Sequence, residues 1–230
     1  MIPNRPDTVW LFDYDLTLYG TEERCVINSL DHRISLFVQK TVGTDFETAH
    51  KLRTDYLERF GTTLAGLMAM NQVDPDEFFD FIHEPENLIY PKESPEKLKL
   101  LQRLSGRRYV FTNGRHDWSE AGMAHMGIDS AIDGVFDLKL LGWEGKPHES
   151  AYDKMEKWLA QKLPAMGFEM PENKREIVLL DDGLRNLEPA HRRGWTTIFV
   201  NPASESAPYV DYHIPHLMNL RDIVPTLIKM

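Results

Sequence analysis

Three short apolar runs in this chain each stop abruptly at polar residues, a pattern that few folds can accommodate three times. Val9-Trp10-Leu11-Phe12 runs into Asp13 and Asp15, Tyr109-Val110-Phe111 into Thr112 and Asn113, and Ile177-Val178-Leu179-Leu180 into Asp181 and Asp182. Brief runs rich in β-branched and aromatic residues read as buried strands. Between and after them, helical spacing recurs: Pro95 to Leu104 ahead of Gly106, about Asp117 to Met126 ahead of Gly127, His148 to Leu163, and Arg185 to Arg193. Val135 to Leu141 and Thr196 to Val200 read as two further strands. Strands alternating with helices predict an α/β fold, a doubly wound, Rossmann-like parallel sheet with helices on both faces.

Residues 20–91 break that alternation. Val26, Ile27, Leu30, Ile34, Phe37 and Val38 fall at helical spacing, and Thr44-Asp45-Phe46-Glu47 has the form of a capping box opening a second helix toward Gly61. Leu64 to Met70 reads as a third helix. Asp74-Pro75-Asp76-Glu77 opens a fourth, because an acidic N-cap followed by proline suits a first helical turn. No strand is persuasive here, and Pro85, Pro91 and Pro95 punctuate the exit. The expected organisation is an α/β core of residues 1–19 and 92–230, interrupted by an inserted all-helical cap of residues 20–91. The tail from Asn201 onward mixes Pro202, Pro208 and Pro215 with a short apolar segment, Leu217 to Leu227, and carries no nameable chemistry.

Charge narrows the partners. A formal net charge of -10 and a pI near 5.4 leave no electrostatic footprint for a nucleic acid polymer or an acidic membrane. A small phosphorylated ligand stays compatible, since local donors and a metal can offset the net charge. One cysteine, Cys25, allows no internal disulfide, the N-terminus has no apolar signal core, and no apolar run reaches about 18 residues. A soluble, cytoplasmic protein is expected; oligomeric state is not legible.

In a doubly wound sheet, ligands bind beyond the carboxyl ends of the strands. Side chains two apart on an extended chain point the same way, so Asp13 and Asp15 converge if the strand persists. Two carboxylates that close repel unless a cation lies between them or one keeps a proton, which suggests a hard metal, an acid/base pair, or both. An acidic turn that merely ends a strand is the plain alternative. Thr112 offers a hydroxyl and Asn113-Gly114 backbone N–H groups ahead of a helix, suited to a phosphate oxygen or simply to a turn. Lys146 could neutralise an anion or lie solvated in its loop. Asp181-Asp182 is costly at a strand end unless something cationic uses it.

Taken in order, Phe12-Asp13-Tyr14-Asp15-Leu16-Thr17-Leu18-Tyr19, Phe111-Thr112-Asn113-Gly114, Gly145-Lys146-Pro147 and Leu180-Asp181-Asp182-Gly183-Leu184-Arg185-Asn186 resemble the four motifs of the haloacid dehalogenase-like hydrolase superfamily. The helical insertion after the first motif looks like that superfamily's first type of cap. Within the superfamily the chain looks most like the pyrimidine 5′-nucleotidase family, through Phe12 to Tyr19, the cap stretch Tyr56 to Leu67, and Lys146-Pro147-His148 with Ala151-Tyr152.

The resemblance implies a Mg²⁺-dependent phosphomonoester hydrolase working through an aspartyl-phosphate. Asp13 would be the nucleophile and Asp15 the general acid and then base. Mg²⁺ would be held by Asp13, the Asp15 carbonyl and Asp182, with Asp181 assisting directly or through water. Thr112, the Asn113 N–H and Lys146 would bind the phosphoryl oxygens. The implied substrate is a small phosphorylated metabolite, foremost a pyrimidine nucleoside 5′-monophosphate. A sugar phosphate or pyridoxal phosphate is the alternative, ahead of a phosphomutase or a non-catalytic ligand-binding module. Dehalogenating members lack an acid at the position of Asp15, which favours a phosphoester. Arg53, Tyr56, Arg59, Phe60 and Met68 of the cap are the candidates for choosing the leaving group.

Overall fold

A computed structural model describes residue 2, residues 4–204 and residues 207–227. Of the expected core, residues 1, 3, 205, 206 and 228–230 lie outside the described residues. Six strands form one parallel sheet: β1 (Val9–Phe12), β2 (Arg107–Phe111), β3 (Gly134–Phe136), β4 (Ile177–Asp181), β5 (Thr196–Val200) and β6 (Tyr212–Ile214). Their order is β3-β2-β1-β4-β5-β6. The chain moves outward from β1 to one edge, then returns to β1's other side and moves to the opposite edge. A switch point therefore lies at the carboxyl end of β1, where such sheets open a crevice. All four residues of β1 are buried, as both neighbouring strands and both covering layers demand.

Four helices lie between β1 and residue 92: α1 (Cys25–Val42), α2 (Phe46–Phe60), α3 (Thr63–Asn71) and α4 (Pro75–Ile82). No strand interrupts them among the described residues, so the inserted cap is all-helical. Four more helices flank the sheet: α5 (Pro95–Gln102), α6 (His116–Met126), α7 (Glu149–Ala165) and α8 (Leu184–Arg192). No helix among the described residues is long and apolar enough to cross a membrane.

Side-chain N-caps set the starts of α2, α3 and α4. Asp74 accepts from the Glu77 N–H and Pro75 occupies the first turn of α4, as its sequence suggests. The start of α2 differs by one residue, because Asp45 rather than Thr44 is the N-cap and accepts from both Thr48 N and Oγ1. The run expected as a strand to Leu141 stops at Phe136. There Asp137 accepts from the Leu140 N–H with one oxygen and the His116 N–H with the other, curling the chain into a turn. In the tail, β6 adds a short edge strand, with Phe199 opposite His213. Three residues leave too little period to read from sequence.

Candidate active site

β1 brings its first acid to the middle of the sheet's carboxyl edge. The Asp13 N–H continues the ladder by donating to the Leu180 carbonyl at 2.9 Å. The chain then leaves the strand: Leu16 has φ +58° and the Leu18 N–H returns to the Tyr14 carbonyl at 3.1 Å. A leucine in the left-handed region is uncommon and strained, and here it folds the segment back directly beside the site. Asp15 thus sits in a turn rather than on the strand, and the two acids have separate partners.

Asp13 faces Lys146, whose Nζ lies 2.9 Å from Asp13 Oδ1 and 2.6 Å from Asp181 Oδ2. The ammonium is 1% exposed. Asn113 sets its place by clasping the Lys146 peptide from both sides, accepting from its N–H and donating to its carbonyl, each at 2.8 Å. Gly145 is small for the same reason, since a Cβ there would lie 2.3 Å from Asn113 Oδ1. Thr112 Oγ1 accepts from the Gly114 N–H at 2.9 Å, which leaves the hydroxyl proton free to be donated elsewhere.

Asp181 is saturated differently from its neighbour. Its Oδ1 accepts from the Gly183 N–H and Asn186 Nδ2, both at 2.8 Å, while Oδ2 takes Lys146. Asp13, Asp181 and Asp182 each present a carboxylate oxygen, all within 4.8 Å of one another. One ammonium among three buried or half-buried acids leaves negative charge uncompensated, which a hard divalent cation or bound protons would relieve. Burial pushes the Asp13 carboxyl well above its usual range, against the pull of Lys146. Burial and then the Asp181 charge push Asp182 up to about 7. Burial alone would lower Lys146, but Asp13 and Asp181 outweigh it and hold the ammonium above its usual range.

Asp15 occupies the other flank. Its Oδ1 accepts from Tyr19 Oη at 2.6 Å and from Trp118 Nε1 at 2.9 Å. Burial raises its carboxyl, and those two hydrogen bonds oppose the rise. Asp13, Asp15, Thr112, Asn113, Lys146 and Asp182 all line one cavity of about 370 Å³ between the sheet's edge and the cap. The cap's contribution is largely apolar, including Ile27, Leu30, Leu57, Leu64, Phe79 and Ile82, with Asp31, Arg53, Thr62, Thr63 and His83 as its polar members.

Of the five cap candidates, only Arg53 lines this cavity, where its Nη1 pairs with Asp31 at 2.6 Å. Tyr56 is buried inside the cap and donates to Asn71 at 3.1 Å. Arg59 pairs with Asp55 at 2.9 Å and lies over the Phe60 ring, while Met68 packs against the core. Sequence reasoning missed Asp31, His83 and the second role of Trp118, which reads as a packing residue. His83 does carry a trace of its position, because a polar ring directly after Phe78, Phe79, Phe81 and Ile82 prolongs the buried face of α4. Arg185, within the fourth motif, donates to the Leu57 and Gly61 carbonyls, both at 3.3 Å, and so ties α8 to the cap.

The sheet order and the helical insertion after the central strand give a fold shared with solved haloacid dehalogenase-like (HAD) structures. No family model matches the chain. Among solved structures it is similar to a HAD phosphatase from Thermococcus onnurineus, with a TM-score of 0.60 at 18% identity over 94% of this chain and 97% of that one. The magnesium-bound HAD hydrolase YfnB from Bacillus subtilis gives 0.59 at 14% identity, over 96% of this chain and 100% of the other. An L-2-haloacid dehalogenase from Xanthobacter autotrophicus with chloropropionic acid covalently bound gives 0.54 at 16%, over 94% and 97%.

Proposed function

We propose that the protein is a Mg²⁺-dependent phosphatase that acts on a small phosphorylated metabolite, foremost a pyrimidine nucleoside 5′-monophosphate, in the cytoplasm. The observation that carries this reading is an acid, Asp15, that lines the same cavity as the Asp13–Lys146 pair but is held apart from the acidic cluster by its own two donors. Asp13 attacks phosphorus with a carboxylate oxygen as the bond to the leaving oxygen breaks, and Asp15 gives that oxygen a proton. The products are an alcohol and an aspartyl-phosphate. Asp15 then takes a proton from water as the water oxygen bonds to phosphorus, which releases inorganic phosphate and regenerates Asp13. Thr112, the Asn113 N–H and Lys146 hold the phosphoryl oxygens throughout, where charge must be stabilised.

The donor set suits a hard cation. Asp13, Asp182 and the Asp15 carbonyl are the ligands this reading assigns, and Asp181, already taking three donors, acts through water or by steadying Lys146. Bound there, Mg²⁺ supplies charge neutralisation that lets an anionic phosphoester approach anionic Asp13. A cavity of about 370 Å³ is the size of a small-metabolite site, and its apolar cap wall suits a ring beside the phosphoester.

The test is Asp13→Asn. Release of phosphate from the best substrate of a metabolite panel, run with and without Mg²⁺, should fall by at least about a thousandfold, with an unchanged circular dichroism spectrum. Undiminished turnover would refute the reading. Sugar phosphates or pyridoxal phosphate heading the panel would move the substrate and keep the chemistry. A phosphorylated product in place of free phosphate would mark a mutase, and ligand binding without turnover a binding module. Dehalogenation is the second reading, raised by the fold shared with the Xanthobacter dehalogenase. Halide leaves as a stable anion and needs no proton, so Asp15 would have no task; no halide release from 2-chloropropionate is the expected result.

A further inference from the structure

We infer that Trp118 is a positioning residue for Asp15: with Tyr19 it fixes the carboxyl so that Oδ2 is the oxygen that exchanges the proton with the leaving group. The inference rests on the reading of Asp15 as proton donor, and it assigns to α6 a part in the chemistry that none of the four sequence motifs contains.

Both donors converge on one oxygen. Tyr19 Oη at 2.6 Å and Trp118 Nε1 at 2.9 Å both reach Asp15 Oδ1, which uses its two lone-pair directions. Indole N–H can only donate, and with the Tyr19 hydroxyl donating as well both lone-pair directions of Oδ1 are filled, so Oδ1 has no place for the proton while the two donors are aimed at it. The proton belongs on Oδ2, the oxygen left to the cavity that Asp15 lines. A carboxyl on a single pair of rotatable bonds would otherwise sample both oxygens, and half of its orientations would be unproductive.

Trp118 is built to hold that geometry. Its side chain is 2% exposed and is enclosed by three rings from three segments. Tyr14 meets it edge-on at 6.1 Å and 90°, Tyr90 lies at 5.4 Å, and His83 of the cap stacks on it at 5.9 Å and 22°. His83 is in turn held from the core, with Nδ1 3.1 Å from both oxygens of Asp117, the residue before Trp118. Nothing in this enclosure lets the indole swing away from Asp15, so the donor is fixed before substrate arrives.

Proton donation matters in proportion to how poor the leaving group is, and this separates positioning from structure. The step concerned breaks the phosphorus–leaving oxygen bond, forms the bond from Asp13 to phosphorus, and moves the Asp15 proton to the departing oxygen. It is reported by kcat/KM, which excludes later hydrolysis of the intermediate. The experiment measures kcat/KM with Mg²⁺ for aryl phosphates ranging from p-nitrophenyl phosphate to phenyl phosphate, in the parent and in Trp118→Phe, Tyr19→Phe and Asp15→Asn.

Trp118→Phe is expected to lose about tenfold or more on phenyl phosphate and little on p-nitrophenyl phosphate, the loss of one hydrogen bond to a carboxyl that becomes charged as it gives up its proton. Tyr19→Phe should show the same slope, and serves alone if Trp118→Phe unfolds. Equal losses on both esters, or none, with Asp15→Asn still steep, would overturn the positioning role and leave the acid assignment standing. A flat response in Asp15→Asn, or no turnover of any ester by the parent, would overturn the underlying reading and the inference with it.

Discussion

Lys146 is the single side chain on which the buried charges depend, since it stands between Asp13 and Asp181 with almost no access to water. Lys146→Met would strand both carboxylates, and should destabilise the protein by about 3–5 kcal/mol in urea titrations run without Mg²⁺. Asp117 gives a pH signature away from the acidic cluster. Burial works to raise its carboxyl, but hydrogen bonds with His83 and Arg115 outweigh it and hold the group well below the usual 3.8. A depressed folded-state value contributes stability above 3.8 that is lost as pH falls through the folded value. Asp117→Asn should therefore melt below the parent at neutral pH, with the gap closing as melts are repeated toward about pH 2. The motif acids were legible because each ends an apolar run, where a carboxylate needs a reason to be. Trp118 was not: it lies 103 residues from Asp15, and an indole on a helix face looks the same whether or not its N–H has an acceptor.

At the scale of elements, α6 approaches the turn after β1 so closely that its Gly122 has no room for a side chain. A Cβ there would lie 1.5 Å from Tyr14 Oη. Gly122→Ala should cost about 1–3 kcal/mol in chemical denaturation and lower turnover by displacing the Tyr14–Asp15 turn. Tyr14→Phe in the same chain should recover part of both losses, because the hydroxyl is the atom struck first. The end of α3 offers the opposite sign. Gln72 closes that helix with φ +55°, a conformation glycine adopts without strain, so Gln72→Gly should add about 0.5–1 kcal/mol of stability, read as a higher denaturation midpoint. Helix existence was readable from periodicity, whereas the N-cap of α2 was misplaced by one residue. Thr44 and Asp45 are both competent caps, and only backbone direction chooses between them. β6 escaped notice because its pairing partner, β5, supplies the order that its own three residues cannot.

For the whole molecule, the apolar core and the proposed metal site are separable. Removing Mg²⁺ with a chelator should abolish phosphate release while the protein stays folded. Restoring it at about ten times its dissociation constant should add only about 1.4 kcal/mol, or a few degrees, to a thermal melt. The parallel sheet, the helical insertion and the strand-end acids could all be anticipated, since each rests on local pattern plus one topological rule. Of the cap's wall only Arg53 was among the expected residues; its partner Asp31, met across α1 and α2, reads locally as an ordinary helix-surface charge.

The insertion of the cap directly after β1 also bears on synthesis. Strand β1 leaves the ribosome ahead of the cap, yet both of its partners, β2 and β4, are encoded beyond the entire cap. Helices α1 to α4 can pair through nearby contacts while the first strand waits unpaired, and sheet assembly must follow translation of the later strands. Stalled nascent chains ending before Arg107 should therefore leave Val9–Phe12 accessible to chaperones, while chains extended past Asp181 should shield it.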